Sequence, residues 1–227
     1  MELDNRKNTD YLDKKIDQIK LNGNKIVVFD FDELLVPIHL TRKVTKKISK
    51  PVDKSKMKGL NLCSFEGIVY LNGLMKGQNK EEYERLRDDI SKKVKWSKGF
   101  DRLIKRLCKE FTVIIISAGL KDICFSKLKD IGFDERNIFG GKLLIPDNKI
   151  EGSELVISYI DKGYIVKKLK ANGNFVISVG HGLGDKEMLI NSDVSIAYKS
   201  DVPNMADYYL DNISDLESLL TRSLDKN

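Results

Sequence analysis

Two hydrophobic patterns take turns along the chain. Short continuous apolar runs occur at Lys25 to Phe31 (KIVVFDF), Thr112 to Ser117 (TVIIIS), Phe175 to Val179 (FVISV) and Val194 to Tyr198 (VSIAY). Unbroken Val/Ile runs, as opposed to alternating ones, predict parallel strands covered on both faces. Between them apolar residues recur every three or four positions, the helical period. Leu103, Ile104, Leu107, Cys108 and Phe111 mark one helix, with Ser97 as its expected N-cap. Ile123, Cys124, Leu128 and Ile131 mark a second, stopped at Gly132. A third is expected from about Lys162 to Ala171, ending at Asn172-Gly173. The last carries Leu216, Leu219 and Leu220 behind a capping box of Ser214 and Glu217. Strands alternating with helices predict an α/β fold with a doubly wound parallel sheet.

Three segments depart from this rhythm. Residues 38–96 contain no strand pattern but do contain a helix with Tyr83, Leu86, Ile90 and Val94 on one face. This segment reads as a small helical cap inserted after the first strand. The stretch KLLIPDNKI reads as a hairpin turning at Asp147-Asn148. The first 24 residues read as an extra helix bearing Tyr11, Leu12, Ile16 and Ile19. The expected division is therefore an extension (1–24), a core domain (25–37 and 97–227) and a cap domain (38–96).

Composition narrows the classes. The 227 residues suit one large domain, or a core domain with a small appended one. Hydrophobic residues at 41% and charged residues at 33% can build a core, which excludes wholesale disorder. No apolar run nears the roughly 20 residues that span a bilayer. The opening MELDNRKNTD lacks the apolar stretch of a secretory signal. Cys63, Cys108 and Cys124 are scattered and form no CxxC pair, which disfavours a disulfide scaffold or a thiolate zinc site. Together these features predict a cytoplasmic protein.

The net charge is +6, and part of it is concentrated between Thr41 and Lys58, where eight Lys or Arg accompany a single acid, Asp53. On a cap, such a run would draw phosphorylated substrates toward a cleft; it could equally be a solvated helix face. It has no interleaved aromatics, so a nucleic-acid platform is disfavoured.

The candidate chemistry sits at strand ends. Asp30 and Asp32 flank Phe31 where the first strand finishes, and residues i and i+2 of a strand point to one side. Open α/β sheets bind ligands at the C-terminal ends of their strands. Two adjacent carboxylates repel, so one is held protonated or a cation lies between them. A nucleophilic carboxylate with a cation to screen it is what phosphoryl transfer requires. Ser117, Ala118 and Gly119 close the second strand and offer a hydroxyl and backbone N–H groups to an anion, or a plain helix cap. Lys162 follows Asp161 at a helix start. After the third strand comes VGHGLGDKEML, whose chemically capable residues are His181 and Asp185.

Taken in order, these features resemble the haloacid dehalogenase (HAD) superfamily, and within it the phosphoserine phosphatase branch. The resemblance runs from about Lys25 to the C-terminus and includes a helical cap of matching place and length. It implies a HAD-like Rossmann-type core and a metal-dependent phosphomonoester hydrolase. Asp30 would be the nucleophile that forms an aspartyl-phosphate, and Asp32 the general acid and base. Ser117, Ala118, Gly119 and Lys162 would bind phosphate. Asp30, Asp32, His181 and Asp185 would hold the divalent metal, Mg²⁺ by resemblance. The substrate would be a small phosphorylated metabolite.

The departures change the expectation. The first Asp of the family's GDGxxD motif is His181 here, and the Thr or Val of DxDx[TV] is Leu34. His181 is then a working ligand suited to Mn²⁺, Fe²⁺, Co²⁺, Ni²⁺ or Zn²⁺, or a loop residue that leaves the metal site impaired. The position of the branch's substrate-binding Glu is His39, a cap or substrate contact. The cap stretch SFEGIVYLNGL holds no Arg. Phosphoserine is thus not expected as the substrate. The alternative is a catalytically impaired HAD-like protein that binds a phosphorylated ligand or partner. Both histidines of the chain fall at this site. Oligomeric state is not legible.

Overall fold

The computed structural model of the chain describes residues 5–49, 60–200 and 204–225. The basic run is therefore described only as far as residue 49. A seven-stranded sheet runs in the order β4-β3-β2-β1-β5-β6-β7. Its strands are β1 (Lys25–Phe29), β2 (Thr112–Leu120), β3 (Ile138–Leu144), β4 (Gly152–Leu155), β5 (Phe175–Gly180), β6 (Val194–Tyr198) and β7 (Tyr208–Leu210). All neighbours pair in parallel except β3 and β4, which form the hairpin expected around Asp147-Asn148. β1 is central, with Val28 opposite Ile114 of β2 on one side and Ser178 of β5 on the other.

Helices cover both faces, as continuous apolar strands require. They are α1 (Asn5–Asp17), α2 (Leu40–Ile48), α3 (Phe65–Gly73), α4 (Lys80–Lys93), α5 (Phe100–Glu110), α6 (Lys121–Leu128), α7 (Tyr159–Ala171), α8 (Lys186–Ile190) and α9 (Ile213–Asp225). Alternate residues of β1 serve opposite faces. Val27 and Phe29 join a core with Leu103 and Ile104 of α5, Ile123 and Leu128 of α6, and Leu216 and Leu220 of α9. Phe29 meets Phe100 edge to face at 6.4 Å, and Phe100 meets Tyr198 in the same way at 5.2 Å. Ile26 and Val28 join the second core with Leu12 and Ile16 of α1 and Ile165, Val166 and Leu169 of α7. Two separately filled faces make the sheet doubly wound.

Between β1 and α5 the described residues supply no strand to the sheet and include α2, α3 and α4. Leu40 and Val44 of α2, and Tyr83 and Ile90 of α4, pack in the same cluster as Phe29. Asn79 caps α4 by accepting the N–H groups of Glu81 and Glu82. No helix among the described residues is long and apolar enough to cross a membrane.

Several boundaries differ from the sequence expectation. α5 opens at Gly99, not Ser97, because Gly99 adopts φ +87°, a left-handed conformation that suits glycine. α7 begins earlier, at Ser158, where Ser158 and Asp161 form a reciprocal capping box. α9 is capped by Asn212, whose Oδ1 accepts the Asp215 N–H at 2.9 Å. Ser214 lies inside that helix. Tyr11 of α1 faces solvent, whereas Leu12 and Ile16 are buried. α1 packs against α7: the Tyr164 hydroxyl donates to Asp13 Oδ1 at 2.7 Å, and Asn8 Nδ2 donates to Asp161 Oδ1 at 2.8 Å and the Val156 carbonyl at 3.0 Å.

Candidate active site

The chain goes from β1 to β2 on one side and later places β5 on the other. The gap between the C-terminal ends of β1 and β5 is thus the topological switch point, where open α/β sheets form their crevice. The Asp30 N–H donates to the Val179 carbonyl at 3.0 Å and carries the β1–β5 ladder one residue further. Asp30 and Asp32 are both buried and line one cleft, while Phe31 turns the other way into the core.

Lys162 lies between the two strand ends. The capping box at Ser158 fixes the first turn of α7, which carries the lysine inward. Its Nζ donates to Asp30 Oδ1 at 2.5 Å and to Asp185 Oδ1 at 2.7 Å. Asp185 Oδ2 accepts the backbone N–H groups of His181 at 2.8 Å and Gly182 at 3.2 Å. Burial alone would raise Asp185, but Lys162 and those N–H groups outweigh it and hold the carboxyl below its usual range. Asp30 goes the other way. Burial, then the Asp185 charge, pushes it up to about 7 in spite of Lys162. For Lys162, burial favours the neutral amine, but the two carboxylates overcome it and keep the ammonium charged.

On the β2 side, Ser117 is buried and its Oγ accepts the Gly119 N–H at 2.9 Å. Gly119 sits where only glycine fits. A Cβ there would lie 2.4 Å from Thr41 Oγ1 and 3.1 Å from both Asp32 Oδ2 and Ser117 Oγ. Thr41 in turn accepts the Leu120 N–H at 3.1 Å, tying α2 to the end of β2.

Asp32 faces the start of α2. Its Oδ1 accepts the Leu40 N–H at 2.7 Å, and its Oδ2 lies 3.8 Å from His39 Nδ1. The other His39 nitrogen, Nε2, lies 2.9 Å from Glu33 Oε2. Glu33 holds φ at +60°, uncommon for a residue with a side chain. Its Oε2 is also 3.8 Å from His181 Nε2.

Asp30, His181 and Asp185 each offer a donor atom, and these atoms lie within 4.8 Å of one another. The Asp32 carboxylate is not part of that group; it is engaged by α2. The group fits a cation on charge grounds. Three buried carboxylates (Asp30, Asp32, Asp185) face one buried ammonium, Lys162, and burial first, then the Asp185 charge, raises Asp30. A mixed oxygen and nitrogen set suits Mn²⁺, Fe²⁺, Co²⁺, Ni²⁺ or Zn²⁺ better than Mg²⁺.

The cleft encloses about 210 Å³ and draws together Asp30, Asp32, Ser117, Ala118, Gly119, Lys162, His181, Asp185 and His39. Leu62, Ile68 and Leu71 give the cleft an apolar part of its lining. Glu33, Thr41 and Arg42 also line it, and sequence reading had not singled them out. Arg42 was visible only as one cation of the basic run. It has no acidic partner among the described residues. Glu33 adjoins the Asp30–Asp32 pair, but nothing in the sequence announces its backbone conformation.

No protein-family model matches the sequence, and no curated protein does either. Solved structures do match in shape. A phosphoserine phosphatase in its apo form superimposes with a TM-score of 0.69 at 22% identity, covering 88% of this chain and 98% of the other. A phospho-aspartyl intermediate analogue of phosphoserine phosphatase gives 0.64 at 24% identity, with 88% and 98% covered. A HAD-family hydrolase from Salmonella enterica gives 0.64 at 20% identity, with 80% and 64% covered. The chain therefore has the fold shared by phosphoserine phosphatases and HAD-family hydrolases.

Proposed function

We propose that the protein is a cytoplasmic, metal-dependent phosphomonoester hydrolase that works through an aspartyl-phosphate on Asp30. The observation that carries this reading is the buried Asp30–Lys162–Asp185 arrangement at the switch point of the sheet. A lysine clamped between two aspartates beside a third is costly to bury and serves no packing need.

In the proposed mechanism an Asp30 carboxylate oxygen attacks phosphorus in line with the leaving oxygen. Asp32 donates its proton to that oxygen as the ester bond breaks, which leaves an acyl phosphate on Asp30. Asp32 then accepts a proton from water as the water attacks phosphorus; inorganic phosphate departs and Asp30 is restored. Lys162 counters the upward shift of Asp30 and offsets phosphate charge, while the Ser117 hydroxyl, held in place by the Gly119 N–H, and the N–H of 118 orient the phosphate oxygens. Asp30, the Asp32 carbonyl, His181 and Asp185 would hold the divalent cation. When bound, it screens the nucleophile from the anionic substrate. Mg²⁺ is the ion of the HAD resemblance, and the His181 nitrogen favours Mn²⁺, Co²⁺ or another borderline ion.

The substrate we propose is a small phosphorylated metabolite other than phosphoserine. A free amino group would call for an unengaged carboxylate beside the phosphate site. The candidate, Glu33, is already paired with His39. The apolar lining of Leu62, Ile68 and Leu71 suits a less polar leaving group.

Metal-stripped protein is assayed on an aryl phosphate with Mg²⁺, Mn²⁺, Co²⁺, Ni²⁺ and Zn²⁺ added singly, and Asp30→Asn serves as control. Metal-dependent turnover absent from the control is the expected result. His181 is the observation that favours a second reading, an impaired protein that binds a phosphorylated ligand. Silence with every metal and across a panel of phosphorylated metabolites, together with calorimetric binding of one of them, would establish that reading instead.

A further inference from the structure

We propose that Glu33 is a positioning residue for the metal centre, the carboxylate partner that orients His181 as a ligand. The inference rests on the metal reading given above. Three observations carry it. The chain contains two histidines, and the Glu33 carboxylate faces both, at 2.9 Å from His39 and 3.8 Å from His181. Glu33 adopts φ +60°, a conformation that non-glycine residues hold only where surrounding structure enforces it, and such residues gather at functional sites. His181 shares a donor cluster with Asp30 and Asp185.

An imidazole has two nitrogens, and a ligating histidine gives one to the metal. The other donates its N–H to a carboxylate or carbonyl, which fixes ring orientation and raises ligand basicity. Glu33 Oε2 stands 3.8 Å from His181 Nε2, beyond hydrogen-bond range, and a small side-chain shift away from His39 would make that second contact. It also answers a charge question. An imidazole at position 181 brings no negative charge to the metal centre, whereas Glu33 brings one to its edge. His39 holds the same carboxylate from the far side, and the Leu40 N–H and His39 Nδ1 both approach Asp32. Glu33 thus couples the metal ligand on the β5 loop to the opening turn of α2. The plain alternative is a partly exposed ion pair with His39 that does nothing for the metal.

The test reads metal binding directly. Mn²⁺ affinity is measured by calorimetry and by the electron paramagnetic resonance of free Mn²⁺. The full-length proteins compared are wild type, Glu33→Gln, His181→Ala and the double variant. Glu33→Gln should weaken Mn²⁺ binding about 10- to 100-fold, the usual loss for an outer carboxylate partner. Added to His181→Ala, it should cost nothing further. Glu33→Gly suits the left-handed backbone and should show the same loss if the Gln variant is poorly folded. An unchanged affinity in Glu33→Gln and Glu33→Gly overturns the proposal, as does an equal loss with and without His181. Should His181→Ala bind like wild type, or wild type not bind at all, the metal reading falls and takes the proposal with it. Undiminished binding by Glu33→Gln beside weakened binding by His181→Ala sinks the proposal alone.

Discussion

Replacing Asp30 with Asn should shift stability in a pH-dependent way that reports on the burial of this carboxyl and on the charge beside it. In the metal-free protein, burial and Asp185 push the Asp30 carboxyl from 3.8 up to about 7. Between those values the folded state keeps the proton and the unfolded state releases it. Stability therefore falls as pH rises through that window and levels off above it. At about 1.4 kcal/mol per pH unit, the full span corresponds to about 4 kcal/mol. Asparagine keeps the shape and the oxygen that Lys162 reaches, but it does not titrate. The difference in unfolding free energy should therefore move in favour of Asp30→Asn by about 2 kcal/mol between about pH 5.5 and pH 8. The assay is urea unfolding of metal-stripped wild type and variant, followed by circular dichroism at both pH values. Titrating groups remote from the site cancel in the difference, and Asp185 and Lys162, which Asp30 touches through its charge, do not. A gap that stays constant, or that moves against the variant as pH rises, would refute the reasoning. Saturating Mn²⁺ at pH 8 should move the difference back towards wild type, because the cation needs the carboxylate that the variant lacks.

The other predictions concern the same site. Lys162→Met should leave Asp30 and Asp185 facing each other uncompensated, and kcat/KM for an aryl phosphate should fall about 10³-fold in steady-state assays. His181→Asp should raise Mg²⁺-dependent turnover at least about tenfold relative to Mn²⁺, since a carboxylate is the harder ligand; an unchanged metal preference would argue that His181 is no ligand. Gly119→Ala places a Cβ 2.4 Å from Thr41 Oγ1. It should cost about 1–3 kcal/mol in denaturant titration and lower kcat as Asp32 is displaced.

The sequence made the sheet legible because its central strands are unbroken apolar runs, a pattern that few other structures share. Phe29, Ile115 and Val179 are fully buried, as their runs require. The edge was not legible: β7 carries two exposed tyrosines and spans three residues, too short for a periodic signal. Ser-Ala-Gly reads as a turn, yet β2 runs three residues past Ser117 and, after a register shift, pairs Leu120 with Gly141 of β3. Caps were missed where two candidates lay close together, as with Asn212 and Ser214. At the site, the strand-end residues could be found from their positions alone. Glu33 and Arg42 could not. One depends on a backbone dihedral, and the other on which face of α2 meets the cleft.

The lysine at the centre of the site is supported from behind by residues that precede the first strand. α1 lies along α7, with Leu12 and Ile16 packed among Ile165, Val166 and Leu169, while Asn8 reaches Asp161 beside Lys162 itself. A shortened chain beginning at β1 would keep every group assigned to the chemistry and lose the buttress behind one of them. The helix that carries Lys162 is thus packed against a stretch of sequence with no catalytic motif in it. Substitutions at Leu12 or Ile16 should therefore loosen the packing behind Lys162.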